Sequence, residues 1–131
     1  MKIVLDTHFL LWLGQDFARL SGHELAMLLE PHNDILLSVV SLWEIRIKWL
    51  KHRVGPKSAG LMAPGDAAAF AIGLGLPIMP LTMAVVTSSL SAPRPNRDPF
   101  DEMLLAHAGY LEARLLTRDA ALLDHPVALS A

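Results

Sequence analysis

Short apolar runs alternate with helical patterns along this chain, and the alternation is the strongest constraint on its fold. Candidate strands lie at residues 2–5, 35–40, 76–80, 115–116 and 127–129. Segments with helical spacing of apolar residues occupy residues 9–13, 21–30, 41–51, 66–73, 82–90 and 99–111. Strands that alternate with helices form a mainly parallel sheet flanked by helices. The sequence therefore predicts an α/β fold.

The size of the chain favours one domain over residues 1–131. With 131 residues and 53% hydrophobic content, a single domain can bury roughly two thirds of its unfolded surface. The lack of cysteine excludes disulfides and thiol catalysis and fits a reducing cytosol. Asp6 comes too early for a signal peptide, and no apolar run approaches the ~20 residues of a membrane helix. We expect a soluble, cytoplasmic protein that does not associate with membranes.

The formal net charge of −2 argues against a generally cationic nucleic-acid binder. One stretch departs from this average, because it holds five basic residues with no acid between them: Arg46, Lys48, Lys51, Arg53 and Lys57. Such a run can follow a phosphate backbone, but it can equally be a solvated helix face and loop. The run alone leaves both interpretations open.

Two acidic residues lie at the start of the predicted helix in residues 99–111. Asp98 precedes a proline and fits the N-cap position, and Asp101 follows one turn later. A helix N-terminus stabilises one negative charge, but two neighbouring carboxylates repel each other unless a cation or a proton lies between them. This pair suggests a metal site.

Three further acids follow or flank other predicted strands. Asp6 follows the first strand, Glu44 opens the helix after the second, and Asp119 follows the fourth. Ligands of open parallel sheets bind where the carboxyl ends of strands converge. Each acid also has a structural interpretation, because Asp6 and Asp119 can cap helices and Glu44 can complete a capping box with Ser41 or pair with Lys48.

Taken together, these acids offer only oxygen ligands, which favour a hard divalent cation such as Mg²⁺ or Mn²⁺. Such a cation can activate water and stabilise the charge of a phosphoryl group under attack, which is metal-assisted phosphodiester hydrolysis. One metal and two metals both remain possible. Trp12, Trp43 and Trp49 fit apolar helix faces, so we expect them in the core rather than as base-stacking platforms.

Four motifs in this order resemble the PIN-domain ribonucleases of the VapC toxin type, found in bacterial toxin–antitoxin modules. They are Leu5-Asp6-Thr7-His8, Ser41-Leu42-Trp43-Glu44-Ile45, Arg97-Asp98-Pro99-Phe100-Asp101 and Leu116-Thr117-Arg118-Asp119. The resemblance covers nearly the full length and implies a single PIN-like domain. It also implies a homodimer, a cognate antitoxin that blocks the site, and cleavage of structured RNA such as tRNA.

Carried over by position, the resemblance implies a catalytic Mg²⁺ pocket formed by Asp6, Glu44, Asp101 and Asp119. Asp6, Asp101 and Asp119 are the expected metal ligands, and the expected accessory residues are Asp98, Thr7 and Thr117, the two threonines orienting carboxylates or water. The candidate RNA contacts are Arg46, Lys48, Lys51, Arg53, Arg97 and Arg118.

The chain departs from the subgroup on both sides of the Arg97 motif. Asn96 stands where a histidine is usual, and Glu102 stands where an arginine is usual. Glu102 adds negative charge beside the pocket and removes a candidate phosphate contact, which puts RNA affinity and target choice in doubt.

Other functions remain to be separated from a ribonuclease. A metal-dependent DNA nuclease would use the same acids. A non-catalytic or phosphoacceptor module of the receiver type is disfavoured, because Thr7 follows Asp6 and no lysine occurs after Lys57. A partner-binding protein whose acids are only caps predicts no effect of Mg²⁺ on thermal stability.

Overall fold

A computed structural model describes residues 1–131, and its centre is a sheet of five parallel strands. The strands are β1 (Lys2–Leu5), β2 (Asp34–Ser38), β3 (Ile78–Met79), β4 (Arg114–Leu116) and β5 (Ala128–Leu129). Their order across the sheet is β3-β2-β1-β4-β5, and every neighbouring pair is parallel. The predicted α/β fold is confirmed, with β1 at the centre.

Six α-helices flank the sheet. They are α1 (Thr7–Gln15), α2 (Gly22–Leu29), α3 (Val39–His52), α4 (Pro64–Gly73), α5 (Met83–Val86) and α6 (Pro99–Tyr110), with a short 3-10 helix at Phe17–Arg19. None of these helices has the length and apolar character needed to cross a membrane.

Alternate residues of the strands supply two separate cores. Ile3 and Leu5 belong to one apolar cluster with side chains of α1 and α4, whereas Val4 packs into the other with side chains of α6. The period of two follows from the pleat of a strand, which sends successive side chains to opposite faces. A sheet covered on both faces explains why its central strand is apolar throughout.

Local sequence signals place several helix starts correctly. Helix α2 was predicted from residue 21, and Ser21 and Glu24 form a capping box there, in which each side chain accepts a hydrogen bond from the other residue's backbone N–H. Asp98 is the N-cap of α6 and accepts hydrogen bonds from the N–H groups of Phe100 and Asp101. Two bonded donors at one cap fix the entry of α6 into the site.

The predicted capping box of Ser41 and Glu44 is wrong. Helix α3 already begins at Val39, and Ser38 is its N-cap, accepting a hydrogen bond from the N–H of Val40 at 3.1 Å. The β-branched residues Val39 and Val40 favour a strand, but the early cap overrides that propensity. Glu44 therefore lies in the second turn of α3 instead of its first.

Two further predictions need correction. The segment predicted as a helix over 82–90 is helical only from Met83 to Val86. Trp43 is half exposed instead of buried, because it lies on the outward face of α3, where its ring makes an edge contact with Phe100 at 4.8 Å between centroids.

Candidate metal-dependent nuclease site

The sheet order brings the predicted acids to one edge. Asp6 directly follows β1, Glu44 lies on the helix after β2, and Asp119 follows β4. Because β2 and β4 are the two neighbours of β1 and all three run parallel, their carboxyl ends meet at the same edge. The N-terminus of α6, with Asp98 and Asp101, completes this group.

Asp6 is held by hydrogen bonds to both of its oxygens. Oδ1 accepts from the Thr7 N–H and Oδ2 accepts from Thr117 Oγ1, each at 2.7 Å. Burial raises the pKa of Asp6, the negative charge of Glu44 adds to that effect, and the hydrogen bond from Thr117 opposes it. The N-cap position and the two hydrogen bonds hold this carboxylate in one orientation.

Glu44 is buried and bonded at both of its oxygens. Thr7 Oγ1 donates to Oε1 at 2.7 Å, and Lys48 Nζ lies 3.0 Å from Oε2, which is the predicted i,i+4 ion pair. Ser41, predicted as a helix cap, instead lies buried with its Oγ 2.9 Å from Thr7 Oγ1. Thr7 thus joins the start of α1 to α3 and orients Glu44.

Asp101 shows the strongest electrostatic perturbation of the site. Burial raises its pKa to about 6, and three nearby carboxylates reinforce the shift: Asp98, Asp6 and Asp119. The repulsion expected between Asp98 and Asp101 is therefore present, and it extends to acids from two strand ends. A carboxyl that retains its proton near pH 6 indicates a negative potential that a cation would relieve.

Asn96, one of the two departures from the family pattern, contacts Asp101. Its Nδ2 donates to Asp101 Oδ2 at 3.0 Å, and its Oδ1 accepts from the Asp98 N–H at 3.0 Å. This hydrogen bond lowers the pKa of Asp101 against the effect of burial. An asparagine before a capping aspartate is a turn signal that could have suggested this role.

The other departure, Glu102, is paired with a cation. Its Oε2 lies 3.3 Å from Arg94 NH1, and both side chains are exposed. Arg94 therefore offsets part of the charge that Glu102 adds beside the pocket. The screening of an exposed pair leaves only a small effect on stability.

Asp119 is exposed at the far side of the site. Its backbone N–H donates to Thr117 Oγ1 at 3.0 Å, and its Oδ1 accepts from the Ala121 N–H at 2.9 Å. Thr117 thus contacts both Asp6 and Asp119. Beside them lies an open cavity of about 270 Å³ whose walls include Asp6, Asp119, His8 and Trp12.

The chemistry of these donors fits a divalent cation that keeps much of its water. All are carboxylate oxygens, and the charges of Asp98, Asp6 and Asp119 add to burial in raising the pKa of Asp101. No three histidine, aspartate or glutamate side chains are grouped closely enough to hold an ion directly. Mg²⁺ is often held by one or two carboxylates and several waters, so Asp6 and Asp101 could hold it with Asp119 acting through water.

The predicted RNA contacts differ in whether their side chains are exposed or engaged in ion pairs within the protein. Four are exposed, namely Arg46, Lys51, Arg53 and Arg97. Lys48 is paired with Glu44. Arg118 forms a bidentate ion pair with buried Glu24 at 2.5 Å, and its guanidinium lies 4.4 Å from the ring centroid of Trp12.

Glu24 also binds Arg118, a contact that the sequence did not predict. Its carboxylate accepts from Ser21 N–H and from Arg118, which joins α2 to the segment after β4. The hydrogen bond from Arg118 lowers the pKa of Glu24. No sequence signal links two residues so far apart, because only folding brings them together.

Comparison with known proteins supports the fold and the family. No curated protein matches the sequence. Among solved structures, a chain of the VapBC2 crystal structure from Rickettsia felis, bound to a DNA fragment from their promoter, matches with a TM-score of 0.61 and 16% identity. The match covers 100% of this chain and 98% of that one. At this identity, the likeness concerns the fold.

The family comparison is more direct. The model of the PIN domain matches residues 3–127, a range that contains all the acids described above. PIN domains are nucleases. The predicted family is thus confirmed, and this chain belongs to the PIN domain family.

Proposed function

We propose that this protein is a metal-dependent endoribonuclease of the VapC toxin type, with Mg²⁺ or Mn²⁺ as its cofactor. The observation that carries the proposal is the convergence of Asp6 and Asp119, which follow the neighbouring parallel strands β1 and β4, with Asp101 at the start of α6. Burial raises the pKa of Asp101 to about 6, and the charges of Asp98, Asp6 and Asp119 add to that effect. Acids drawn from separate elements share one negative potential. Caps of independent helices have no need to share one.

Within this proposal, Asp6, Asp101 and Asp119 are the residues that would hold the cation. A bound divalent cation would supply positive charge for the phosphoryl oxygens and lower the pKa of a water molecule. Thr117 fixes the orientation of Asp6 through the 2.7 Å hydrogen bond. Glu44, whose Oε1 and Oε2 are bonded to Thr7 and Lys48, contributes fixed negative charge at the rear of the pocket.

RNA, and specifically tRNA, is the substrate that we propose, with a cognate antitoxin as partner. The fold likeness to a chain of the VapBC2 structure supports the antitoxin partner, and the choice of RNA rests on the resemblance of the four motifs to VapC-type ribonucleases. The exposed cations Arg46, Lys51 and Arg53 lie on or next to α3, the helix that also carries Glu44. Cations near an acidic pocket can hold the phosphates on either side of a scissile bond.

We also propose that the protein is a cytoplasmic homodimer. Three apolar side chains of α3, Trp43, Ile47 and Leu50, are 50%, 39% and 57% exposed and follow one another at helical spacing. An exposed apolar row of this kind is suited to an interface between copies. Sedimentation equilibrium should give a dimer, and Leu50→Glu should convert it to a monomer; a monomeric parent chain would end this proposal.

Side-by-side cleavage of tRNA, bulk RNA and single-stranded DNA tests the activity. We expect tRNA to be cut in Mg²⁺, no cleavage in EDTA, and a loss of at least 100-fold in Asp101→Asn, whose amide keeps the shape of the side chain. Asp66→Asn is the matched control, because Asp66 is an exposed first-turn acid of α4 outside the site. Undiminished cleavage by Asp101→Asn would rule out its assigned role.

The same assay separates the other functions. Preferential cleavage of DNA would make the protein a metal-dependent DNA nuclease. If no nucleic acid were cut but Mg²⁺ raised the melting temperature, the acids would form the pocket of a non-catalytic binding module. An absence of both effects would leave the acids as helix caps.

A further inference from the structure

A second cavity adjoins the acidic pocket, and neither the family assignment nor the proposed reaction gives it a role. It has a volume of about 450 Å³, within the roughly 300–1,000 Å³ of small-molecule sites. His8 and Trp12 line this cavity and also line the smaller one that contains Asp6 and Asp119. The two side chains thus form the boundary between the cavities.

The boundary is an aromatic surface with two cations beside it. Arg118, which is paired with Glu24, lies 4.4 Å from the Trp12 centroid, and Arg19 lies slightly farther away. The rings of His8 and Trp12 are stacked, with centroids 5.8 Å apart and an angle of 24° between their planes. The guanidinium carbon of Arg19 lies 5.4 Å from the Trp12 centroid, and its side chain is exposed and has no acidic partner. Proteins bind single-stranded nucleic acids through aromatic rings, on which the bases stack, and through cations, which attract the phosphates.

Lys48 connects the second cavity to the acidic pocket. It lines the cavity while its Nζ remains 3.0 Å from Glu44 Oε2, and its side chain is 32% exposed. An ammonium group has three donors, so it can bond Glu44 and still donate to a phosphate oxygen. Glu44 holds this donor in place at the border of the two cavities.

The remaining polar side chains of the cavity suit the edge of a base. Gln15 and Asp16 are exposed on its wall. An amide offers both donor and acceptor groups and a carboxylate offers acceptors, which match the amino and ring nitrogens of a base. The negative charge of Asp16 repels a phosphate on that wall. We therefore place the phosphate near Lys48 and the base near Trp12.

We propose that this cavity is a nucleotide subsite of the nuclease, in which Lys48 binds a phosphate next to the scissile one and His8, Trp12 and Arg19 hold its base. The proposal depends on the proposed function only in calling the protein a nuclease, and the binding of a nucleotide does not depend on it. Binding of a single nucleotide needs no cleavage, so the two can be tested apart.

The test uses the fluorescence of Trp12 in a Trp43→Phe/Trp49→Phe chain, where it is the only tryptophan. The probe is adenosine monophosphate in EDTA, so that no cation holds its phosphate at the acids. We expect saturable quenching, with an affinity about tenfold weaker in Arg19→Ala and in Lys48→Met. Arg94→Ala, an exposed arginine outside the cavity, should bind the probe as the parent chain does.

Several outcomes would overturn the proposal. They are no saturable quenching, equal quenching in Arg19→Ala and Lys48→Met, or equal weakening in Arg94→Ala. If the wild type cleaves RNA but does not show quenching, the subsite is wrong and the nuclease stands. If quenching occurs but no nucleic acid is cut under any condition, the site binds nucleotides without being part of a nuclease, and the proposal also fails.

Discussion

Thr117 Oγ1 donates a hydrogen bond to Asp6 Oδ2 at 2.7 Å and accepts one from the Asp119 N–H at 3.0 Å. One hydroxyl therefore joins the carboxylate of Asp6, after β1, to the backbone of Asp119, after β4. The bond opposes the effect of burial on the pKa of Asp6.

Thr117→Val should remove the hydrogen bonds to the Asp6 carboxylate and the Asp119 N–H without changing the volume of the side chain much. The lost donor raises the pKa of Asp6 further, and the loss of one oriented ligand weakens metal binding roughly 10- to 100-fold. Isothermal titration with Mn²⁺ and the cleavage rate measure both effects. Thr87→Val, at the end of α5, is the matched control, and equal losses in both variants would contradict the role of Thr117.

The raised pKa of Asp101 makes stability depend on pH. Its value is about 6 in the folded protein against 3.8 ordinarily, so the folded state binds the proton more tightly and loses stability as the pH rises from about 4 to 6. Asp101→Asn should remove this loss. After allowance for solvent screening, we expect it to gain about 1 kcal/mol over the wild type at pH 7 and little at pH 4.

Chemical denaturation of both chains at pH 4, 5, 6 and 7 provides that comparison. A stability difference that is constant with pH would show that Asp101 does not titrate in this range. Asp66→Asn should give no pH-dependent difference.

Mg²⁺ should stabilise the folded protein most above pH 6, where Asp101 is ionised. At a concentration ten times Kd, a ligand that binds only the folded state adds about 1.4 kcal/mol. The melting temperature should rise with Mg²⁺ at pH 7.5, rise less at pH 5, and not respond in Asp101→Asn. A response of equal size in wild type and variant would place the cation elsewhere.

Asn96→Ala should move the acidic limb of the pH–rate profile to higher pH. Its Nδ2 donates to Asp101 and lowers the pKa of that carboxyl, so removal of the donor favours the protonated form. We expect a displacement of about half a pH unit or more. Asn96→His, which restores the residue usual in the subgroup, should return part of the activity; an unmoved profile in Asn96→Ala would argue against the contact.

Arg118→Met should lower the free energy of unfolding and leave RNA affinity largely unchanged. Glu24 is 5% exposed, so loss of its partner leaves a buried carboxylate unpaired, at a cost of about 1–3 kcal/mol. A double-mutant cycle with Glu24→Gln isolates the pair from the stack on Trp12. If RNA affinity fell while the unfolding free energy stayed the same, the sequence-based assignment of Arg118 as an RNA contact would be the better one.

Reversal of three exposed charges, Arg46→Glu, Lys51→Glu and Arg53→Glu together, tests the basic run. If these cations contact RNA, the triple variant should bind more weakly and the slope of log K against log salt should decrease by about 0.7 for each lost phosphate contact. Stabilisation by Mg²⁺ should be unchanged, because Lys48 and the acids are left intact. An unchanged salt slope would make the run a solvated face.

The sequence by itself determined the class of fold and the positions of the acids. Apolar runs of strand length separated by helical patterns admit few arrangements, and the signals at Asp98, Pro99 and Ser21 act within a single turn of the chain. Local rules failed at α3, where Val39 and Val40 continue a strand pattern but follow the cap at Ser38. The end of β2 is decided by tertiary context, which outweighs the intrinsic preference of two residues.

Only the tertiary structure decided the contacts that join acids to distant parts of the chain. The bonds of Thr117 to Asp6 and of Arg118 to Glu24 join residues that are 111 and 94 positions apart, and the order β2-β1-β4 brings them together. The same is true of the pKa of Asp101, which depends on burial and on charges from other elements. Such quantities are sums over neighbours in space, which a linear pattern does not specify.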